Sequence, residues 1–190
     1  MTSATERERT LIRDAREGSE QAMEAIFREH WPMAHRAAYL VTRDRVAAED
    51  IAQEAFMAAI RGLDGFDRRR PFGPWLHRIV VNRSIDWTRA RAARRESAVE
   101  PGELPDAAVA ASEPDPFERR GLLVALAELA PEQRAVVVLR YLFDYSPGEI
   151  AGLLDEPRGT VNSRMRRGLD RLAELLGGGD GGSGGGGGDG

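Results

Sequence analysis

The chain contains no cysteine and no lysine, carries only three histidines, and has no apolar run approaching the length of a membrane span. Each shortage excludes something. Without cysteine there is no disulfide framework, no thiolate zinc site and no redox-sensing thiol, a composition that fits a reducing compartment. His30, His35 and His77 lack metal-ligand spacing, no glycine-rich phosphate loop opens a helix, and no nucleophile sits in a recognisable motif. Neither an enzyme nor a bound cofactor is therefore expected. The longest apolar stretches, 122–127 and 135–139, fall far short of the roughly 20 residues that cross a bilayer. Residues 1–9 are polar and charged, unlike a signal peptide. These features predict a cytoplasmic protein with no membrane insertion.

What is present is enough apolar sequence, 42% of 190 residues, to bury a core in one medium domain or two small ones. All 27 cations are arginine, against 31 acids, for a net charge of −4. A mildly acidic sum argues against nucleic acid, because a binder must neutralise phosphates. The distribution reverses that inference. Residues 98–118 hold six acids and no cation, whereas 61–95 hold ten arginines against three acids and 158–171 hold five against one. Two basic stripes lie under an acidic total. Residues 98–116 contain four prolines and no sustained apolar period, which reads as a flexible acidic linker. Residues 177–190 are eleven glycines, two Asp and one Ser, a disordered native tail or an appended linker by composition.

The remainder reads as helix, rich in Ala, Leu, Arg and Glu, with prolines at boundaries and no convincing strand. The expected fold is all-α: two small helical domains, 1–97 and 117–176, joined by the linker, the second ending in a helix-turn-helix. In the first, Ala22, Ile26 and Phe27 begin an apolar stripe that continues past Pro32 to Ala37, Ala38 and Val41, with Pro32 expected to kink or divide it. Asp44 suits the N-cap of a helix to about Leu63, whose apolar face is Ala52, Phe56, Ala59, Ile60 and Leu63. The opposite face carries Asp50, Gln53, Glu54 and Met57. Pro74, at a first-turn position, starts a helix to about Arg95.

The second domain gives the sharper local signal. Pro131 opens one helix. Ser146-Pro147-Gly148-Glu149 then places Ser at the N-cap, Pro at the first helical position and Glu at the third, a capping box in which side chains and amides satisfy each other. That short helix turns at Asp155-Glu156-Pro157 into a longer one, from about Gly159 to Leu176. Val161, Met165, Leu169, Leu172 and Leu176 form its buried face, with Thr160, Ser163, Arg167 and Arg171 opposite and Arg164 and Arg166 on the flanks. Small hydroxyls followed by arginines suit entry into a major groove with phosphate contacts behind.

At these residues the chain resembles the extracytoplasmic-function class, group IV, of bacterial RNA polymerase sigma factors in the sigma-70 family. The motifs are Ala48-Glu49-Asp50-Ile51-Ala52-Gln53-Glu54-Ala55-Phe56 and Phe72-Gly73-Pro74-Trp75-Leu76-His77-Arg78-Ile79-Val80-Val81-Asn82-Arg83 in the first domain. In the second they are Leu139-Arg140-Tyr141, Glu149-Ile150-Ala151 and Gly159-Thr160-Val161-Asn162-Ser163-Arg164. The resemblance spans 22–176 and implies a transcription initiation subunit whose partners are core RNA polymerase, promoter DNA and an anti-sigma factor. By the same resemblance Asp50, Gln53 and Glu54 dock on the clamp helices of the largest polymerase subunit. Phe66, Arg68, Arg69, Arg70, Arg78 and Asn82 read and open the minus-ten element. Arg158, Thr160, Ser163, Arg164 and Arg167 read the minus-thirty-five element, and the linker follows the RNA exit path.

The residues themselves leave alternatives open. Arg68–Arg70 suit DNA contact or a solvated loop, and Phe72 and Trp75 favour core packing. Phe66 is open between base stacking and packing. Asn82 can bond a base edge or cap a neighbouring helix. The chain departs from the family pattern at Asp155-Glu156, where Gly and an apolar residue are usual. Asp tolerates left-handed geometry, whereas Glu156 is expected to lose a buried contact. Asn162 replaces a common Lys or Arg, one phosphate contact fewer and about 0.9 less in salt slope. Two other functions compete: a stand-alone helix-turn-helix regulator, which leaves the first domain unexplained, and a sigma-like decoy that sequesters an anti-sigma factor.

Overall fold

A computed structural model describes residues 4–97 and 116–177. Every regular element among them is helical: α1 Ala4–Arg16, α2 Glu20–Thr42, α3 Arg45–Gly62, a 3-10 turn Leu63–Gly65, α4 Phe72–Ser97, α5 Pro116–Ala127, α6 Pro131–Leu142, α7 Pro147–Leu154 and α8 Arg158–Gly177. Most of the expected linker, 98–115, and of the expected tail, 178–190, lies outside the described residues.

Local chemistry sets the boundaries. Ser19 caps α2 by accepting from Ala22 N, and Asp44 caps α3 by accepting from Ala47 N at 3.0 Å. Such caps satisfy amides that the first turn leaves without partners. Arg43, between these two helices, takes a left-handed φ of 58° and returns its N–H to Tyr39 O. Of the kink or division expected at Pro32, division does not occur: α2 runs unbroken through it. The ring lies on the exposed side, while Ala34, Ala37 and Ala38 are wholly buried on the other. Packing of that face outweighs the one backbone hydrogen bond a proline deletes. Beside it Phe27 stacks on Trp31 at 4.8 Å and Trp31 on His35 at 5.8 Å; Phe27, read as part of the buried stripe, is nevertheless 42% exposed.

Among the described residues three clusters make the interior. α1 to α4 enclose the first, from Ile12 and Ile26 through Phe56 to Phe72, Leu76 and Val80. The third joins Ala125, Leu126 and Leu129 to Val137 and Leu172. The second crosses between the regions: Val41 of α2 and Val81 and Ile85 of α4 pack with Val136, Leu139, Ile150, Leu153 and Val161. Each such side chain removed from water contributes about 1.5–3 kcal/mol. The two helical regions therefore share a core as well as a chain.

Polar groups fix the register of that contact. Arg134, only 5% exposed, donates to Val41 O at 2.6 Å and to Ala127 O and Leu129 O, both at 2.8 Å. Arg89 Nε donates to Glu132 at 2.6 Å. His77 Nδ1 lies 2.8 Å from the Tyr145 hydroxyl, and its ring centroid is 3.8 Å from that of Phe143. Burial drives His77 down to about 4 and Tyr145 up to about 12, so the pair meets as two neutral groups.

Candidate nucleic-acid interface

The helix-turn-helix is built by α7 and α8. Ser146 Oγ accepts from Glu149 N at 3.3 Å, and the Glu149 carboxylate accepts from Ser146 N at 2.8 Å, the reciprocal capping box. The Ser146 hydroxyl also donates to that carboxylate at 2.7 Å, and this bond, with the one from Ser146 N, holds Glu149 below the usual carboxylate range. α7 ends at Asp155, whose φ of 56° is the left-handed turn that the Asp was expected to tolerate. α8 then approaches α6 closely because Gly168 is buried there. A Cβ at this position would sit 3.2 Å from Val137 Cγ2.

Along α8, Arg158 and Arg167 are exposed, and Thr160, Ser163 and Arg164 are half-buried. Ser163 Oγ donates to Thr160 O at 2.9 Å and accepts from Arg167 Nη2 at 3.2 Å. Arg164 donates Nη1 to the Glu156 carboxylate. Glu156 was expected to forfeit a buried contact; it gains an ion pair instead, because its carboxylate meets a guanidinium one and a half turns into α8. On the packed face Val161 and Leu172 are buried and Met165 and Leu169 half-buried. Leu176 departs from its expected burial, being 48% exposed where the helix runs past the core.

The second basic surface precedes and includes α4. Asp67 folds the loop: its Oδ1 accepts from Arg69 N at 3.0 Å and its carbonyl from Arg70 N at 2.9 Å. This turn leaves Arg68, Arg69 and Arg70 exposed. Phe66 is a correction. Named among the minus-ten contacts, it is 6% exposed and packed against Trp75 at 4.7 Å and Phe72 at 5.9 Å, so its ring offers no free stacking face. Phe72 is fully buried and Trp75 half-buried, as core packing requires. Arg78 is exposed and Asn82, one turn on, half-buried. Sequence reasoning missed α1. Its Arg16 donates to Leu63 O, Asp64 O and Phe66 O at 2.6–2.8 Å, bolting the loop to the bundle, and Arg9, Thr10 and Arg13 border a shallow cleft with Arg68. The apolar spacing of Ile12 and Ala15, both buried, was the available signal.

α3 presents a different chemistry. Asp50, Gln53 and Glu54 are all exposed, as are the apolar Val46 and Met57 at 72% and 55%. Asp50 and Glu54 line a groove with Arg83, Asp86 and Trp87, closed on one side by the Arg83–Glu54 pair at 2.8 Å. Exposed apolar groups interleaved with acids suit a protein partner and repel phosphate. Among the described residues no group of three or more His, Asp or Glu could hold a metal ion, and no helix is long and apolar enough to cross a membrane.

Comparison with known proteins identifies the family of both helical regions. Residues 26–94 match the family described as sigma-70 region 2, and 119–172 match sigma-70, region 4. RNA polymerase sigma factor CarQ of Myxococcus xanthus is 33% identical over 85% of this chain and 93% of its own. The ECF RNA polymerase sigma factor SigM of Mycobacterium tuberculosis is 37% identical over 84% and 80%. Among solved structures, CnrH in complex with the cytosolic domain of CnrY superposes with a TM-score of 0.67 at 28% identity, over 91% of this chain and 99% of that one. The sigma factor RpoE of Bartonella quintana, in complex with the anti-sigma factor NepR, shares the fold at a TM-score of 0.65 and 23% identity, over 80% and 95%.

Proposed function

The chain belongs to the extracytoplasmic-function sigma factors of the sigma-70 family, which direct promoter-specific transcription, and on that premise we propose how its surfaces divide the work. α3 docks on core polymerase through Asp50, Gln53 and Glu54, with Val46 and Met57 supplying the apolar contact. The loop bearing Arg68–Arg70, with Arg78 and Asn82, holds the minus-ten element. α8 enters the minus-thirty-five major groove with Arg158, Thr160, Ser163, Arg164 and Arg167. The observation that carries this reading is the segregation of chemistry: arginines are exposed at the loop and on α8, while α3 pairs acids with exposed hydrophobics. An anti-sigma factor is a further partner class for these surfaces, one being bound to the RpoE structure whose fold this chain shares. The site of action is the cytoplasm, and the polymerase performs the chemistry.

Transcription tests the whole. The purified chain with core polymerase should start transcripts from a cognate promoter; capture of an anti-sigma factor with no transcript would make it a decoy. Asp50→Ala should weaken core binding and leave duplex binding intact. Replacing Arg68–Arg70 with Ala should impair opening more than initial binding, read by permanganate reactivity of unpaired thymines.

A further inference from the structure

The turn between α7 and α8 places a carboxylate against an arginine of the reading face. Glu156 Oε2 accepts from Arg164 Nη1, and the two side chains keep only 25% and 22% of their exposure. Glu156's own backbone is fixed, its N–H donating to Ala151 O at 2.9 Å. The turn therefore anchors the Glu156 backbone where its carboxylate meets the Arg164 guanidinium. Of the other α8 arginines named as contacts, Arg167 bonds only within its own helix, to Ser163, and Arg158 is exposed. A second acid, Glu132 of α6, also feels the Arg164 charge and is itself held by Arg89 of α4 at 2.6 Å.

We propose that Glu156 is a specificity-determining residue that turns Arg164 from a phosphate clamp into a base reader. This rests on the reading of Arg164 as a minus-thirty-five contact. A guanidinium has five donors in a planar fork, and one bond to an acceptor carried on the turn leaves donors free for the O6 and N7 of a guanine. Holding the fork in advance removes rotamer freedom before binding, so less is lost when the base is met. The carboxylate also cancels the charge that would draw Arg164 to any phosphate, and repels phosphates itself. Together these lower affinity for random duplex while preserving the contact to the correct base.

Holoenzyme assembled on the full chain is assayed on a promoter library randomised at the minus-thirty-five element, and duplex binding is titrated with salt. Arg164→Ala should abolish preference at one base pair. Glu156→Ala should cut discrimination at that same pair by about tenfold, within the range of one bidentate contact. Glu156→Gln keeps an acceptor but no charge. It should tighten binding to random duplex and steepen the salt slope by up to about 0.9, the value of one added phosphate contact. If Arg164→Ala changes no base preference, the parent reading of Arg164 fails. If Arg164→Ala flattens the preference while both Glu156 variants keep wild-type discrimination and salt slope, the parent reading stands and the role of Glu156 is overturned.

Discussion

Arg134→Met should unfold the shared core at a markedly lower temperature, because one side chain completes the ends of two helices. Val41 O and Ala127 O belong to the last turns of α2 and α5, where carbonyls have no partner within the helix, and Leu129 O lies in the turn that follows. Arg134 donates to all three and brings a positive charge to the negative ends of both helices. Methionine keeps much of the apolar stem but strands the three carbonyls, at about 2 kcal/mol each for hydrogen bonds to a charged donor. Against that loss stands the cost of burying the guanidinium. Burial, assisted by Arg43, lowers Arg134 from 12.5 to about 10, equivalent to about 3 kcal/mol that the substitution recovers. The net is a destabilisation of about 3 kcal/mol, or a melting temperature lower by roughly 6–12 °C for a chain of this size. Differential scanning calorimetry of the purified variant measures it. Arg89→Ala, which removes an exposed ion pair of the same interface, should cost no more than about 1 kcal/mol. A variant at 134 that melts within about 2 °C of wild type would refute the assignment of Arg134 as the cap of both helices.

Acid should weaken the fold through His77. Its folded value, about 4, lies below the unfolded 6.5, so the unfolded chain binds the extra proton in that window. Stability is complete above pH 6.5 and falls as pH drops toward 4, by up to about 3 kcal/mol. Urea midpoints at about pH 7.5 and about pH 5 should differ less in His77→Gln than in wild type, and an equal difference would contradict the assignment. Asp44→Ala removes both the cap on α3 and the partner of Arg91, bonded at 2.6 Å. It should cost about 1–2 kcal/mol, whereas Asp44→Asn, which keeps a capping oxygen, should lose only part of that; thermal denaturation of both variants checks the order. Gly168→Val forces a side chain into a gap of 3.2 Å against Val137. The expected loss is about 1–3 kcal/mol, with faster amide exchange in α8, and unchanged exchange would mean that α6 and α8 separate freely.

The elements written locally are legible in the sequence. Asp44, Ser146 with Glu149, and Asp155 each act within four residues of their own position, through hydrogen bonds between neighbouring side-chain and backbone groups. Residue type and spacing therefore announced them, and the family motifs placed them in order. α1 escaped because its apolar signal is short and its function is held by Arg16, whose partners lie 47 to 50 residues away. Phe66 could not be assigned from the loop sequence, since burial depends on where Phe72 and Trp75 bring their rings.

Composition and the uneven charge determined a helical, cysteine-free chain with two arginine stripes separated by acids. Tertiary structure decided what each arginine meets. Arg16 and Arg134 are committed to carbonyls, Arg164 is held by Glu156, and Arg68–Arg70 and Arg167 remain exposed. The same guanidinium serves all these uses, and sequence records only its presence. Its role is set by the acceptors within reach once Val41 and Arg134, 93 residues apart, have been packed together.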